Sequence, residues 1–137
     1  CPIEVMRRVV SEMHCGQMTI AYGQTESSPV ITMSDVEDEV EVRVTTVGRA
    51  MPGTEVKIVG PGGETVPVGT VGELCTRGYL VMKGYAGNPE ATAEAIDGEG
   101  WLHTGDLAVM QENGTFGIRG RSRDMIIRGG ENIYPRE

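Results

Sequence analysis

Aromatic side chains are scarce in this chain: one Phe, one Trp and four Tyr. The core therefore falls to Val, Ile, Leu and Met. Cations are scarce too. Twelve Lys and Arg stand against twenty Asp and Glu, for a formal net charge of −8. That balance argues against a nucleic-acid partner, whose binding rests on clustered basic residues. No apolar run approaches a transmembrane segment, and no signal peptide is visible. The three cysteines, Cys1, Cys15 and Cys75, are odd in number and lack CxxC spacing. They read as reduced thiols in a cytoplasmic compartment, not as a disulfide framework or a zinc site. The two histidines, His14 and His103, lie too far along the chain from the cysteines to imply a metal cluster. Each reads as a structural or surface residue.

Glycine and proline are plentiful, twenty and seven in 137 residues, so turns are frequent. The length fits one ordinary domain or part of a larger one. The start at Cys1-Pro2, without an initiator Met, suggests a piece of a longer chain. Pro2 suits the first position of a helix. Ile3, Met6, Val9, Val10 and Met13 then form one apolar stripe at helical spacing, with Glu4 and Arg8 placed for an i, i+4 pair. Gly16 is a plausible stop. Met18 to Tyr22 reads as a short strand. Five acids in the seven residues Asp35 to Glu41 read as a solvated loop, and Val40, Val42 and Val44 alternate as in an extended segment. Strands over Val56–Val59 and Gly72–Gly78, with turns at short intervals, suggest a compact barrel or a strongly bent sheet. Asn88 and Pro89 open a short helix. Asn113-Gly114 marks a hairpin between Leu107–Met110 and Phe116–Ile118.

Three polar stretches stand out. In Gly23-Gln24-Thr25-Glu26-Ser27-Ser28-Pro29, a hydroxyl and a carboxylate sit side by side at the end of a strand. Thr25 can donate to a phosphate oxygen and Glu26 can hold Mg2+; an ordinary polar loop is the alternative. In Gly100-Trp101-Leu102-His103-Thr104-Gly105-Asp106, Gly105 permits a sharp turn. Asp106 beyond it can accept two hydrogen bonds, as from a ribose diol; the alternative is a loop entering a strand, with Trp101 in the core. In Gly120 to Pro135, Arg121 can make a forked contact to a ribose or phosphate oxygen. The polar break at Arg123-Asp124 can serve as a hinge. A charged edge strand ending in a Gly-Gly turn is the alternative there.

Together and in this order, Tyr22-Gly23-Gln24-Thr25-Glu26, Trp101 to Asp106 and Gly120-Arg121 through Gly129-Gly130-Glu131-Asn132-Ile133 resemble the adenylate-forming superfamily, the AMP-forming acyl-CoA synthetases. The variant of these motifs looks most like that of medium-chain fatty acyl-CoA ligases. The resemblance covers nearly the whole chain. It implies an α+β fold, part of the adenylate-forming fold: a short N-terminal helix and strand, then a small distorted β-barrel with a short helix. Residues 1–46 would end the nucleotide- and acyl-binding subdomain, 47–122 form the barrel-like subdomain, and 123–137 hold the hinge and the start of a C-terminal domain.

The resemblance also implies roles. Tyr22 would lie near the adenine, Thr25 contact the α-phosphate and Glu26 hold Mg2+. Asp106 would accept the ribose hydroxyls, assisted by Arg121. Arg123 would be the hinge, where many relatives carry Asp or Lys. Gly129 and Gly130 would line the pantetheine tunnel for coenzyme A, and Gly23 and Gln24 would border the acyl pocket. ATP or AMP, Mg2+, coenzyme A and a carboxylic acid are the implied cofactors and partners. The family's upstream phosphate loop and its C-terminal lysine match nothing in this sequence, so the segment alone is expected not to turn over. Two other readings are a non-catalytic nucleotide-binding module, and an adenylation domain that passes its acyl group to a carrier protein or reacts with oxygen.

Overall fold

The computed structural model describes residues 3–122 and the backbone of 126–128 and 131–133. Helix α1 (Ile3–Glu12) forms on the expected stripe, although of its residues only Met6 is buried. The helix stops before Gly16, and its ion pairs run Arg7–Glu4 and Arg8–Glu12 instead of Glu4–Arg8. Three two-residue strands follow: β1 (Ala21–Tyr22), β2 (Thr32–Met33) and β3 (Arg49–Ala50), paired antiparallel in that order. The strand expected from Met18 is thus shorter, beginning at Ala21.

The valines at 40, 42 and 44 are helical. Helix α2 (Val40–Thr45) takes the place of the extended segment. Residues 40 and 44 share a face at either period, so alternation alone did not separate the two. The long-range contacts decide. Arg43 is buried and its guanidinium donates to the carbonyls of Gly16, Met18 and Asp38 at 2.8–2.9 Å. Glu41 meets Arg7 of α1 at 3.0 Å. On the helix these two residues, two apart, point to different sides, so Glu41 reaches α1 while Arg43 turns inward. Before it, Asp38 pairs with Arg49, which holds the Asp38 carboxyl below its ordinary range.

The larger sheet is antiparallel in the order β4 (Thr54–Val59), β5 (Val71–Gly78), β6 (Leu102–Met110) and β7 (Phe116–Arg121). It is not the closed barrel of the two expected forms. Among the described residues it does not close, because β4 and β7 stand at opposite edges. The outer edge of β7 is met by the chain leading into β3: Val47 N–H donates to Phe116 O, and Phe116 N–H to Gly48 O, at 2.8–2.9 Å. That link sets β1 beside the ends of β6 and β7. Helix α3 (Pro89–Ala95) lies between β5 and β6, with the Asn88 side chain accepting from Ala91 N–H and proline in the first turn. A further ribbon, β8 (Ile126–Arg128) and β9 (Glu131–Ile133), pairs antiparallel. Arg123, Gly129 and Gly130 lie outside the described residues.

Strand alternation divides the buried residues between two clusters. Ile58, Leu74, Ala108 and Phe116 join Ile31 and Leu80 in the main core. Val59, Cys75 and Trp101 form a smaller cluster. Trp101 is buried as expected, with Lys57 Nζ at 4.2 Å and the Arg77 guanidinium carbon at 4.6 Å from its ring centroid.

Candidate functional site

A cleft of about 870 Å³ opens where the end of β1, the bulged start of β6 and the end of β7 converge, with α3 along its side. Its floor is made by a break in sheet register. Glu73 of β5 pairs with Leu107 and Cys75 with His103, so two additional residues of β6 are accommodated between those pairs. The excess is pushed out as a bulge, which re-aims side chains. Gly105 sits in it at φ 73°, in the left-handed region that favours glycine. Three contacts pin the bulge. Gly105 N–H donates to Glu73 Oε1 at 2.9 Å, Thr104 Oγ1 donates to Leu74 O at 2.7 Å, and Asp106 N–H donates back to Thr104 Oγ1 at 3.1 Å. The Trp101 to Asp106 stretch is therefore mostly strand, not loop.

The bulge delivers Asp106 to the cleft. Tyr22 Oη donates to Asp106 Oδ2 at 2.7 Å. Arg121, its register partner on β7, places Nε 3.6 Å from Asp106 Oδ1. Burial, foremost, pushes the Tyr22 hydroxyl well above its ordinary range, so it remains a donor at neutral pH. Tyr22 can stand there because the next residue has no side chain: a Cβ on Gly23 would overlap the Pro29 carbonyl oxygen.

Thr25 and Glu26 lie in a single 3-10 turn, Thr25–Ser27, at the cleft's other wall. The turn is tied down through Ser27, which is buried and whose hydroxyl donates to Gln24 O at 2.8 Å. The Glu26 C=O is not idle either, since it accepts from Met82 N–H at 2.8 Å. Glu26 Oε1 accepts from Tyr85 Oη at 2.8 Å. That bond raises the Tyr85 hydroxyl above its ordinary value. The other carboxylate oxygen has no hydrogen-bond partner among the described residues. A hard oxygen donor on a half-buried turn fits a hydrated Mg2+.

The structure thus brings Gly23, Gln24, Thr25, Glu26, Asp106 and Arg121 around one opening, whereas Tyr22 is not among the lining residues and reaches the site through its hydrogen bond to Asp106. Sequence reasoning missed Tyr85, Glu73 and Thr104 as site residues. It also set His103 apart from the cysteines. His103 Nδ1 in fact lies 2.9 Å from Glu73 Oε2 and 3.4 Å from Cys75 Sγ. The separation of 28 positions vanishes across the β5–β6 register, in which Cys75 and His103 are direct partners. One signal was available: Glu73 and Cys75 stand two apart on a strand and so share a face.

A carboxylate and a guanidinium line one end of the cleft, with a threonine and a second carboxylate on its other wall, donors and acceptors that a polar ligand could use. The chain belongs to the AMP-binding enzyme family, whose profile matches residues 1–86. It is 60% identical over its full length to YngI of Bacillus subtilis (strain 168), which carries a provisional acyl-CoA synthetase name, and covers 25% of that protein. It is 50% identical over 99% of its length to the mitochondrial medium-chain acyl-CoA ligase ACSF2 of Bos taurus, covering 22% of it. The fold matches that of O-succinylbenzoate coenzyme A synthetase (MenE) from Bacillus subtilis in complex with AMP. There the TM-score is 0.85 and the identity 30%, over 98% of this chain and 27% of that one. The amide bond synthetase McbA from Marinactinospora thermotolerans matches at TM-score 0.85 and 36% identity, over 95% of this chain and 27% of that one. The chain therefore spans about a quarter of the length of its relatives. None of its described helices is long and apolar enough to cross a membrane.

Proposed function

We propose that this chain supplies the adenosine-binding wall and the metal-binding turn of an ATP-dependent acyl-CoA ligase. The observation that carries the reading is the Tyr22–Asp106–Arg121 group, held on a clamped bulge opposite Thr25 and Glu26. In the reaction, a carboxylate oxygen attacks the α-phosphorus of ATP, and the bond to the bridging oxygen breaks with loss of pyrophosphate. The sulfur of coenzyme A then attacks the acyl carbon, and the bond to AMP breaks.

Within this scheme Asp106 accepts the ribose hydroxyls and Arg121 supports them from β7. Tyr22 flanks the adenine and fixes the Asp106 carboxylate through its hydroxyl. Thr25 donates to the α-phosphate. Glu26, oriented by Tyr85, would hold Mg2+, which when bound neutralises phosphate charge. Positioning and charge neutralisation are what phosphoryl-centred chemistry asks of a protein. Gly23 and Gln24 border the acyl group. Arg123 acts as the hinge and Gly129-Gly130 line the coenzyme A path. The acid is a fatty acid of medium length, a choice supported by the bovine ligase's name. The compartment proposed is the cytoplasm, on the strength of the free thiols Cys15 and Cys75; the bovine relative is named as mitochondrial.

Carboxylate-dependent ATP–pyrophosphate exchange by the full-length parent protein, across a panel of acyl lengths and with this segment alone as control, tests this. Exchange peaking at medium lengths and nearly abolished by Glu26→Ala is the expected result. ATP binding without exchange for any acid would instead favour a nucleotide-binding module.

A further inference from the structure

Beside the nucleotide wall stands a cluster that the proposed reaction does not use. Glu73 Oε2, Cys75 Sγ and His103 Nδ1 all lie within 4.8 Å of one another. The two distances to Nδ1 are 2.9 Å and 3.4 Å. Tetrahedral zinc, with bonds of about 2.0–2.3 Å, separates such N, O and S ligand atoms by roughly 3.3–3.6 Å. The present triangle is therefore within a few tenths of an ångström of the ligand geometry on both measured sides. We propose that Glu73, Cys75 and His103 form a binding site for a thiophilic divalent cation of the zinc class.

Four further features fit a metal site. The donor set is mixed, one thiolate, one imidazole and one carboxylate, which suits zinc and disfavours Mg2+. The charges balance: as the thiol gives up its proton on binding, thiolate and carboxylate together neutralise a dication. One ligand, Glu73, has a hydrogen-bonded outer partner of the kind that orients metal-bound groups, and a carboxylate stands just beyond hydrogen-bond distance of another. His103 Nε2 faces Asp97 Oδ2 at 3.7 Å, and Asp97 Oδ1 is itself fixed by Trp101 N–H and Glu99 N–H at 2.9 Å. Glu73 keeps its other oxygen on Gly105 N–H. Finally, there is a way in. Glu73 and His103 line the open cleft, which leaves room for water as a fourth ligand, while Cys75 is fully buried behind them in the cluster with Trp101.

This inference is independent of the function proposed above, since metal loading is read without turnover. The test is titration of the full chain, in a background with both Cys1→Ser and Cys15→Ser, with Co2+ under excess Mg2+. The expected result is one equivalent bound with a thiolate-to-cobalt charge-transfer absorption that Zn2+ displaces. Cys75→Ser should abolish the band, and Asp97→Asn should weaken binding about tenfold. Absence of a sulfur band, or a band that survives Cys75→Ser, overturns the proposal. Should Cys75→Ser fail to fold, His103→Asn is read in its place: lost or shifted absorption supports the site, and unchanged affinity and spectrum overturn it.

Discussion

Gly105→Ala isolates the conformation of the bulge from its packing. Gly105 has φ 73°, and a Cβ added there would meet nothing closer than Ser122 Oγ at 4.0 Å. The substitution is thus sterically free, and its cost is the left-handed backbone alone, roughly 1–2 kcal/mol for an L-residue. Two responses are open to the chain. If the backbone holds, the Gly105 N–H to Glu73 bond survives, Asp106 stays aimed at the cleft, and only local stability falls. If the backbone flips, that bond and the aim of Asp106 are both lost. The bulge is pinned at three points, and freeing a single buried N–H costs about 1–3 kcal/mol, more than or comparable to the strain. We therefore expect the backbone to hold. Hydrogen exchange of the β6 amides in the full chain should quicken by about 5- to 30-fold, with AMP affinity changed less than about threefold. Gly114→Ala, at φ 78° on the distant hairpin tip, is the control: the strain is similar and nucleotide binding should not change. A tenfold loss of AMP affinity in Gly105→Ala alone, or no change in exchange, would refute the reasoning.

Asp106→Ala removes a charged acceptor worth about 1.5–3 kcal/mol, so AMP should bind about 10- to 150-fold more weakly by calorimetry; near-normal binding would remove Asp106 from the ribose role. Arg43→Ala strands three carbonyls, two of them before β1, and should destabilise the chain by at least about 2 kcal/mol in thermal unfolding. Arg43→Met, which restores bulk but no donors, should recover little of that loss. Burial, helped by the charge of Glu73, pushes the Cys75 thiol up to about 12. Iodoacetamide at pH 8 should accordingly label exposed Cys15 and spare Cys75. The raised value also gives a sign: the folded state favours the protonated thiol, so its contribution is complete below the ordinary value of 9.0 and fades as pH climbs from there toward about 12. Unfolding experiments between pH 8 and 11 should show that alkaline loss diminished in Cys75→Ala. Removal of Mg2+ should weaken ATP binding to the full chain while leaving adenosine binding unaltered, and equal loss for both ligands would contradict a metal held by Glu26 on the phosphate side.

The legible parts of this chain were those set by local chemistry. Asn88-Pro89 announced α3, and Asn113-Gly114 the β6–β7 hairpin, because caps and turns act within a few residues. Glu26 and Asp106 stood out because their stretches carry polar residues that a core would reject, whereas Tyr22 ends a short apolar strand and entered only through the family resemblance. What the sequence concealed was cross-strand register. The two additional residues in β6 leave no mark in composition, yet they turn Asp106 into the cleft and set His103 against Cys75. The helix at Val40–Thr45 was hidden for the same reason. Its β-branched residues favour strand, and only the distant carbonyls that receive Arg43 overrule them.

On the function proposed, the charges of the cleft favour the sugar end of a nucleotide over its phosphates. Glu26, Glu73, Glu94 and Asp106 line it, against Arg121 as the full-time cation among the lining residues. The nearby cations are engaged elsewhere: Lys57 and Arg77 lie over Trp101, and Arg77 also pairs with Glu55 at 2.8 Å. Each carboxylate about 8 Å from a phosphate would oppose it by about 0.5 kcal/mol at the dielectric of water and about 2 kcal/mol at an effective value of 20. Four such groups are a barrier to a triphosphate and none at all to adenosine. A ribose diol, by contrast, needs an acceptor, and Asp106 is one held ready by Tyr22. The same surplus of carboxylate that repels phosphate attracts cations, which is why Glu26 suits Mg2+ and why a thiol and an imidazole beside Glu73 suit a softer ion. On the function proposed, phosphate binding draws its positive charge from metal and from residues beyond this segment, with Thr25 as a neutral donor to the phosphate and Asp106 on the sugar.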